Sequence, residues 1–194
     1  MRVPALVVAL VVMDGLRPPA LPSSDDVLAF WFADANRWWK EDPAFDDEIR
    51  DRFLNLQEAI QRGEREEWLE TPRRTLGYVI VLDQFPRNMF RGSGRMFEAD
   101  ARALVAARRA LDGHFDRDLS RNEKMFLYMP FMHSESIVDQ DWSVRLFAPL
   151  QEWLRYAEEH RDIIRRFGRF PRRNALLGRQ STSEELAFLK EGGS

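Results

Sequence analysis

Three short stretches of the chain collect residues that bind ions and move protons: LDQFPRN (Leu82 to Asn88), FLYMPFMHSE (Phe126 to Glu135) and FGRFPRRNALLGR (Phe167 to Arg179). Each sets Arg, Asn, His or acidic groups beside aromatics and a Pro, where an ordinary amphipathic helix shows smooth apolar and polar faces. In the first stretch, Arg87 offers a planar fork of donors that fits a carboxylate or phosphate, and Asn88 adds a directional hydrogen bond. The plainer reading pairs Asp83 with Arg87 locally and uses Asn88 to cap a turn. Both readings can hold together, because a fixed Asp keeps an Arg in the rotamer a ligand requires.

The second stretch holds His133 in apolar company, followed by Ser134 and Glu135. A His near a carboxylate can be tuned toward proton transfer at neutral pH, so His133 and Glu135 are the candidate catalytic pair. Residues two apart on a helix point in different directions, and the pair would meet one ligand only if Pro130 distorts the backbone. A hydrogen-bonded core His is the bland alternative. No nucleophile elbow surrounds Ser134.

The third stretch is the richest: Arg165, Arg166, Arg169, Arg172, Arg173 and Arg179 crowd a segment that also contains Phe167, Phe170 and Pro171. Some of these Arg residues would neutralise a helix C-terminus near Gly168 or pair with Glu158, Glu159 and Asp162. Arg169, Arg173 and Arg179 lie in the irregular segment between helices, which can turn several guanidinium groups toward one point. Together, Asp83, Arg87, Asn88, His160, Arg169, Arg173, Asn174 and Arg179 are the expected ligand-binding residues. They would form a cradle for a small phosphorylated or carboxylated metabolite, with His133 and Glu135 supplying acid-base, hydrolytic chemistry. The competing readings are a scaffold that binds a protein or peptide, and a buried polar network that only fixes helix packing.

Composition narrows the classes. A chain of 194 residues, 44% hydrophobic, is long enough for one domain with a sizeable core. Its 29 basic and 32 acidic residues give a formal charge of -3, which offers no reason to expect nucleic acid or an anionic membrane as partner. With no Cys, disulfides, thiolate metal sites and Cys nucleophiles are excluded. A carboxylate and imidazole metal site would need His160, Asp83 or Asp139 to converge on His133, and we expect neither a metal nor a cofactor. Val3 to Met13 is an apolar run of eleven residues, short of the roughly 20 that span a bilayer. We read residues 1–22 as a disordered or mis-annotated N-terminal extension, with the apolar run lying upstream of a true start at Met13, followed by a cytoplasmic domain over residues 23–190. A signal peptide is the alternative, although Pro residues crowd any cleavage site. Residues 191–194 would form a flexible tail.

The elements that must position these groups read as helices throughout. Ser24 would cap a helix over DDVLAFWF, and Asp42-Pro43 would open a second in which Phe45, Ile49, Phe53, Leu56 and Ile60 recur at helical spacing until Gly63. A third would run from Pro72 to Phe85, stopped by Pro86. A fourth would cover Phe97 to Leu111. Ser120 and Glu123 form a capping box for a fifth, which Pro130 interrupts near Tyr128, and a sixth would reach Val138. Trp142 to Phe167 would be the longest stretch, bent or divided at Pro149, and Thr182 would cap the last helix. No strand pattern occurs, so the fold is all-α, built from antiparallel helix pairs.

The three stretches, together with the early VLAFWF, resemble a bacterial family known only as domain of unknown function 924. The resemblance spans Val27 to Leu189 and rests on an ordered set of blocks. It implies a compact, tetratricopeptide-like all-helical fold and carries no established activity. The chain departs from the family's usual Pro-His-Arg-Asn at Pro171-Arg172-Arg173-Asn174. A role for a His at that position passes to this chain only if Arg172 replaces it as a cation.

Overall fold

The structure, a computed structural model, describes residues 20–193, so the expectation of a terminal extension over residues 1–19 falls outside what is described. Eight α-helices and five short 3₁₀ turns make up the described residues, with no strand among them. The helices are α1 (Ser24–Trp31), α2 (Pro43–Gln61), α3 (Pro72–Met89), α4 (Asp100–Asp112), α5 (Arg121–Met132), α6 (Ile137–Phe147), α7 (Gln151–Phe167) and α8 (Ser183–Lys190). Among the described residues, no helix is long and apolar enough to cross a membrane.

Local chemistry explains most of the boundaries. Capping boxes start three helices: Ser23 with Asp26 at α1, Ser120 with Glu123 at α5 and Thr182 with Glu185 at α8. The α1 cap is therefore Ser23, one residue before the expected Ser24. Asp42 caps α2, with Pro43 in its first turn. Pro149 divides the expected Trp142 to Phe167 stretch into α6 and α7, and Gly168 ends α7 in the left-handed conformation at φ 69°. Residues 94–97 form a 3₁₀ turn, which delays α4 to Asp100. At the C-terminus, Gly193 N–H still donates to the Phe188 carbonyl.

Two prolines fail to stop their helices, because tertiary packing outweighs the local penalty. Pro86 lies inside α3 and Pro130 inside α5. Having no N–H, Pro86 leaves the Leu82 carbonyl without its helical donor, and Arg87 turns its guanidinium back onto the next carbonyl, Asp83 O. Beyond Pro86, Met89 is buried and Asn88 is tied to α2, so continuing the helix gains contacts that a stop would forfeit. Past Pro130, Phe131 and Met132 are buried in the same way. The fifth helix consequently starts where expected but runs on to Met132, and α6 starts only at Ile137.

The packing centres on α3, which meets α1, α2, α4 and α5. Fourteen of its eighteen residues are buried, so it is enclosed on all sides rather than presenting one face to the core. Gly77 lets α1 approach: a Cβ there would lie 3.2 Å from Ser24 Cβ. Phe85, on the same helix, packs edge-on or tilted against Phe30, Trp31 and Phe53. A smaller cluster of Ile163, Ile164 and Phe170, joined by Phe167 and Phe188, holds α8 to the end of α7. Phe85→Ala should lower the unfolding free energy by about 3–5 kcal/mol in urea titration, the range for emptying a fully buried aromatic site.

Candidate functional site

Enclosing α3 places four polar side chains inside the protein, where each must find partners: Thr75, which donates to the Trp68 carbonyl, and Asp83, Gln84 and Asn88. Asp83 has none of its side chain exposed. Its Oδ1 accepts from His133 Nδ1 at 2.7 Å and lies 3.4 Å from Arg87 Nη1, while its Oδ2 accepts from Gln84 Nε2 at 2.6 Å. Burial alone would raise the Asp83 pKa, but Arg87 and His133 outweigh it and hold the carboxyl below its usual range. Asp83 is therefore an anion at neutral pH.

Arg87 in turn needs its own counter-charge. It makes a bidentate pair with Asp100 at the start of α4, at 2.9 and 3.0 Å. Arg173 donates to the same Asp100 at 3.3 Å and to the His133 carbonyl at 2.9 Å, with Phe97 and Phe170 against its guanidinium. Asn88 caps no turn. It donates to Asp46 of α2 at 2.8 Å, and Arg91 binds the same carboxylate at 2.7 and 3.0 Å.

His133 ends α5, its N–H donating to the Met129 carbonyl. Burial and the nearby Arg87 cation lower its pKa, with Asp83 opposing them, so the ring is neutral at pH 7. Because an ionised Asp83 only accepts, Nδ1 carries the proton and Nε2 keeps its lone pair. Nε2 has no protein partner among the described residues. His160 of α7 repeats the arrangement with backbone: Nδ1 donates to Tyr156 O at 2.8 Å. Burial first, then His133, lowers its pKa to about 4. Two neutral imidazoles thus stand in one place.

That place is a cavity of about 610 Å³ between the segment before α2 and helices α3, α5 and α7. Gln84, Arg87, Asn88, Met132, His133 and His160 form its inner part. Trp38, Trp39, Lys40, Glu41, Trp153 and Tyr156 line it further out, with Trp39 60% and Tyr156 46% exposed. No group of three or more His, Asp or Glu side chains among the described residues is placed to hold a metal ion.

The structure brings together five of the ten expected site residues, Asp83, Arg87, Asn88, His133 and His160, in or directly behind this cavity. The other five lie elsewhere. Glu135 sits beyond the end of α5, where its carboxylate takes Arg179 at 2.7 and 2.9 Å and the Phe170 N–H at 2.8 Å. Arg179 and the Phe170 N–H hold its pKa below the usual range against the effect of burial. Arg169 pairs with Glu185 at 2.7 and 2.9 Å. Asn174, fully buried, donates to Ser181 at 3.0 Å. Arg173 reaches the back of the His133 network but does not line the cavity. A single cradle of all these groups is therefore not formed: His133 Nδ1 meets Asp83 of α3 while the Glu135 carboxylate is taken by Arg179 and the Phe170 N–H, and the two residues share, with Asp100 and Arg173, only a smaller cavity of about 380 Å³. Arg172 is exposed and takes no place in the cavity.

With this geometry in view, the comparisons decide the family. The model of the family described as bacterial protein of unknown function (DUF924) matches residues 27–193. The chain belongs to the DUF924 family. A solved structure of a protein of unknown function from Agrobacterium tumefaciens is similar, with 41% identity and a TM-score of 0.84, covering 87% of this chain and 97% of that one. Among curated proteins, none matches the sequence. For this DUF924 member, the cavity groups missed in the sequence are Asp100, Asp46 and the Trp38-Trp39 pair. The two acids act through contacts distant in sequence; the paired tryptophans were a visible signal.

The two imidazoles predict a pH dependence. His160 stays unprotonated in the folded protein down to about pH 4 but takes up its proton near 6.5 when unfolded. The unfolded chain then binds more protons across that window, so stability falls as the pH drops from about 6.5 to about 4, with His133 acting in the same direction. Urea titrations at stepped pH should show this loss, and His160→Phe should make it shallower.

Proposed function

We propose that the cavity binds a small phosphorylated or carboxylated metabolite and that His133, oriented by Asp83, acts on it as a general base. The observation that carries this reading is the 2.7 Å Asp83 to His133 hydrogen bond, which leaves an unprotonated Nε2 at a cavity. In hydrolysis, Nε2 would take a proton from water as the water attacks the phosphoryl or carbonyl centre, then return it to the leaving group. Asp83 would stabilise the imidazolium formed between those steps. Arg87, held by Asp100, and Asn88, held by Asp46, would offer fixed donors to the anionic group. Glu135, Arg169, Asn174 and Arg179 take a structural role here, fastening the segment after α7.

The second reading is a scaffold for a protein or peptide. It draws on α6, where Val138 is 62% and Trp142 45% exposed, outside the cavity.

Thermal-shift screening against phosphorylated and carboxylated metabolites tests the first reading. A ligand at one hundred times its dissociation constant adds about 2.7 kcal/mol to stability. His133→Asn should still bind it while any turnover drops by about 10²–10⁴-fold, the range for a lost general base. Arg169→Ala, remote from the cavity, should leave both unchanged. Turnover that survives His133→Asn would remove the catalytic assignment, and a screen without any stabilising anion would remove the ligand class.

A further inference from the structure

The outer part of the cavity has a chemistry that anion binding does not use. Trp38 and Trp39 meet at 81° with centroids 6.3 Å apart, forming a perpendicular corner. One face of Trp39 stacks on Phe126, and the ring is nonetheless 60% exposed. Trp153 and Tyr156, one turn apart on α7, line the same cavity. Carboxylates accompany both walls: Glu41 follows the tryptophan pair and Glu152 precedes Trp153.

Aromatic faces at right angles with carboxylates alongside are complementary to an organic cation, whose charge is attracted by the ring quadrupoles and whose alkyl groups are shielded from water. Two of these rings already draw cations within the protein. Arg121, paired with Glu152 at 3.5 Å, lies 5.8 Å from the Trp153 centroid, and Arg155, paired with Glu159 at 3.4 Å, lies 5.3 Å from that of Tyr156; both Arg side chains are solvent-exposed, and a bound cation would take the place of Arg121 at both the ring and Glu152. Of the basic groups that line the cavity, Arg87 is bound by Asp100 and Arg91 by Asp46, while Lys40 is solvent-exposed, where water and salt screen its charge.

We propose that the ligand of this cavity is a zwitterion, with a quaternary or alkylated ammonium seated among Trp39, Trp153 and Tyr156 and its anionic group directed to the inner polar end. This rests on the reading of the cavity as a site for anionic metabolites and adds the second charge. The cation's positive charge also meets the requirement of an inner end whose own charges are already paired: Arg87 with Asp100 and Asp83, and Arg91 with Asp46.

Calorimetric titration with three probes separates the claims: glycine betaine, its neutral-headed isostere 3,3-dimethylbutanoate, and tetramethylammonium, all at matched ionic strength. Betaine should bind about tenfold more tightly than 3,3-dimethylbutanoate, the ratio that roughly 1.4 kcal/mol of cation–π attraction supplies. Trp39→Ala and Tyr156→Ala, both at exposed rings, should abolish that ratio, and Trp39→Phe should keep most of it. Equal binding of betaine and 3,3-dimethylbutanoate would overturn the cation site while leaving anion binding intact. Tetramethylammonium binding with no gain from either carboxylate would leave the aromatic site but overturn the zwitterion and the anionic reading with it. No binding by any probe would overturn both.

Discussion

A carboxylate without solvent on a helix enclosed from all sides is the constraint from which the site follows. Asp83 is bearable in the core only because His133, Arg87 and Gln84 surround it, and removing one partner from such a group costs more than the bond itself contributes. The demand passes outward. Arg87 needs Asp100, and Asp100 also takes Arg173, so α3, α4, α5 and the segment after α7 are tied by one alternating chain of charges. That chain fixes the His133 ring as a by-product of keeping Asp83 satisfied. The same contacts thus serve packing and the cavity, which is why a purely structural network and a functional site are hard to tell apart by residue type alone.

What distinguishes them is the atom left over. In a packed network most buried polar groups are paired and the exceptions are enclosed. Here Nδ1 of each cavity histidine is spoken for, by a carboxylate in one case and a backbone carbonyl in the other, while each Nε2 has no protein partner among the described residues and belongs to a cavity wall. The C-terminal set closes its charges within itself, Glu135 on Arg179 and the Phe170 N–H and Arg169 on Glu185, and its leftover atoms, Arg179 Nε and Asn174 Oδ1, are buried away from the cavity. Where the leftover atoms lie gives the third sequence stretch a fastening role and the first two a role at the cavity.

How much of this the sequence disclosed depends on the range of the contacts involved. Helix starts at Ser120, Asp42 and Thr182 were legible because a cap and its partner lie within a few residues. The run of α3 through Pro86 and of α5 through Pro130 was not, since the compensation comes from packing on other helices. Asp83, Arg87 and His133 were legible as candidates by type, but their grouping depends on a separation of fifty residues between Asp83 and His133. His133 and Glu135, two residues apart in the chain, share a smaller cavity with Asp100 and Arg173, yet their hydrogen bonds go to partners distant in sequence, Asp83 for the one and Arg179 for the other. Asp100 carried no local signal at all, though it anchors both Arg87 and Arg173.

Charge pairing also limits what the cavity can hold. Arg87 approaches the inner end already neutralised by Asp100 and Asp83, and both imidazoles are uncharged at neutral pH. An anion arriving there meets oriented donors rather than a net positive field, and oriented donors favour geometry over total charge. A multiply charged phosphate would have to leave much of its hydration without a matching counter-charge, a cost that rises steeply in a partly desolvated site. A singly charged group, balanced by a positive charge elsewhere on the same molecule, meets no such cost. Within the proposed ligand class, the pairing that makes Asp83 tolerable in the core therefore favours a carboxylate or a singly charged phosphoryl group over a multiply charged phosphate, and leaves the aromatic outer walls to contribute affinity through their ring faces.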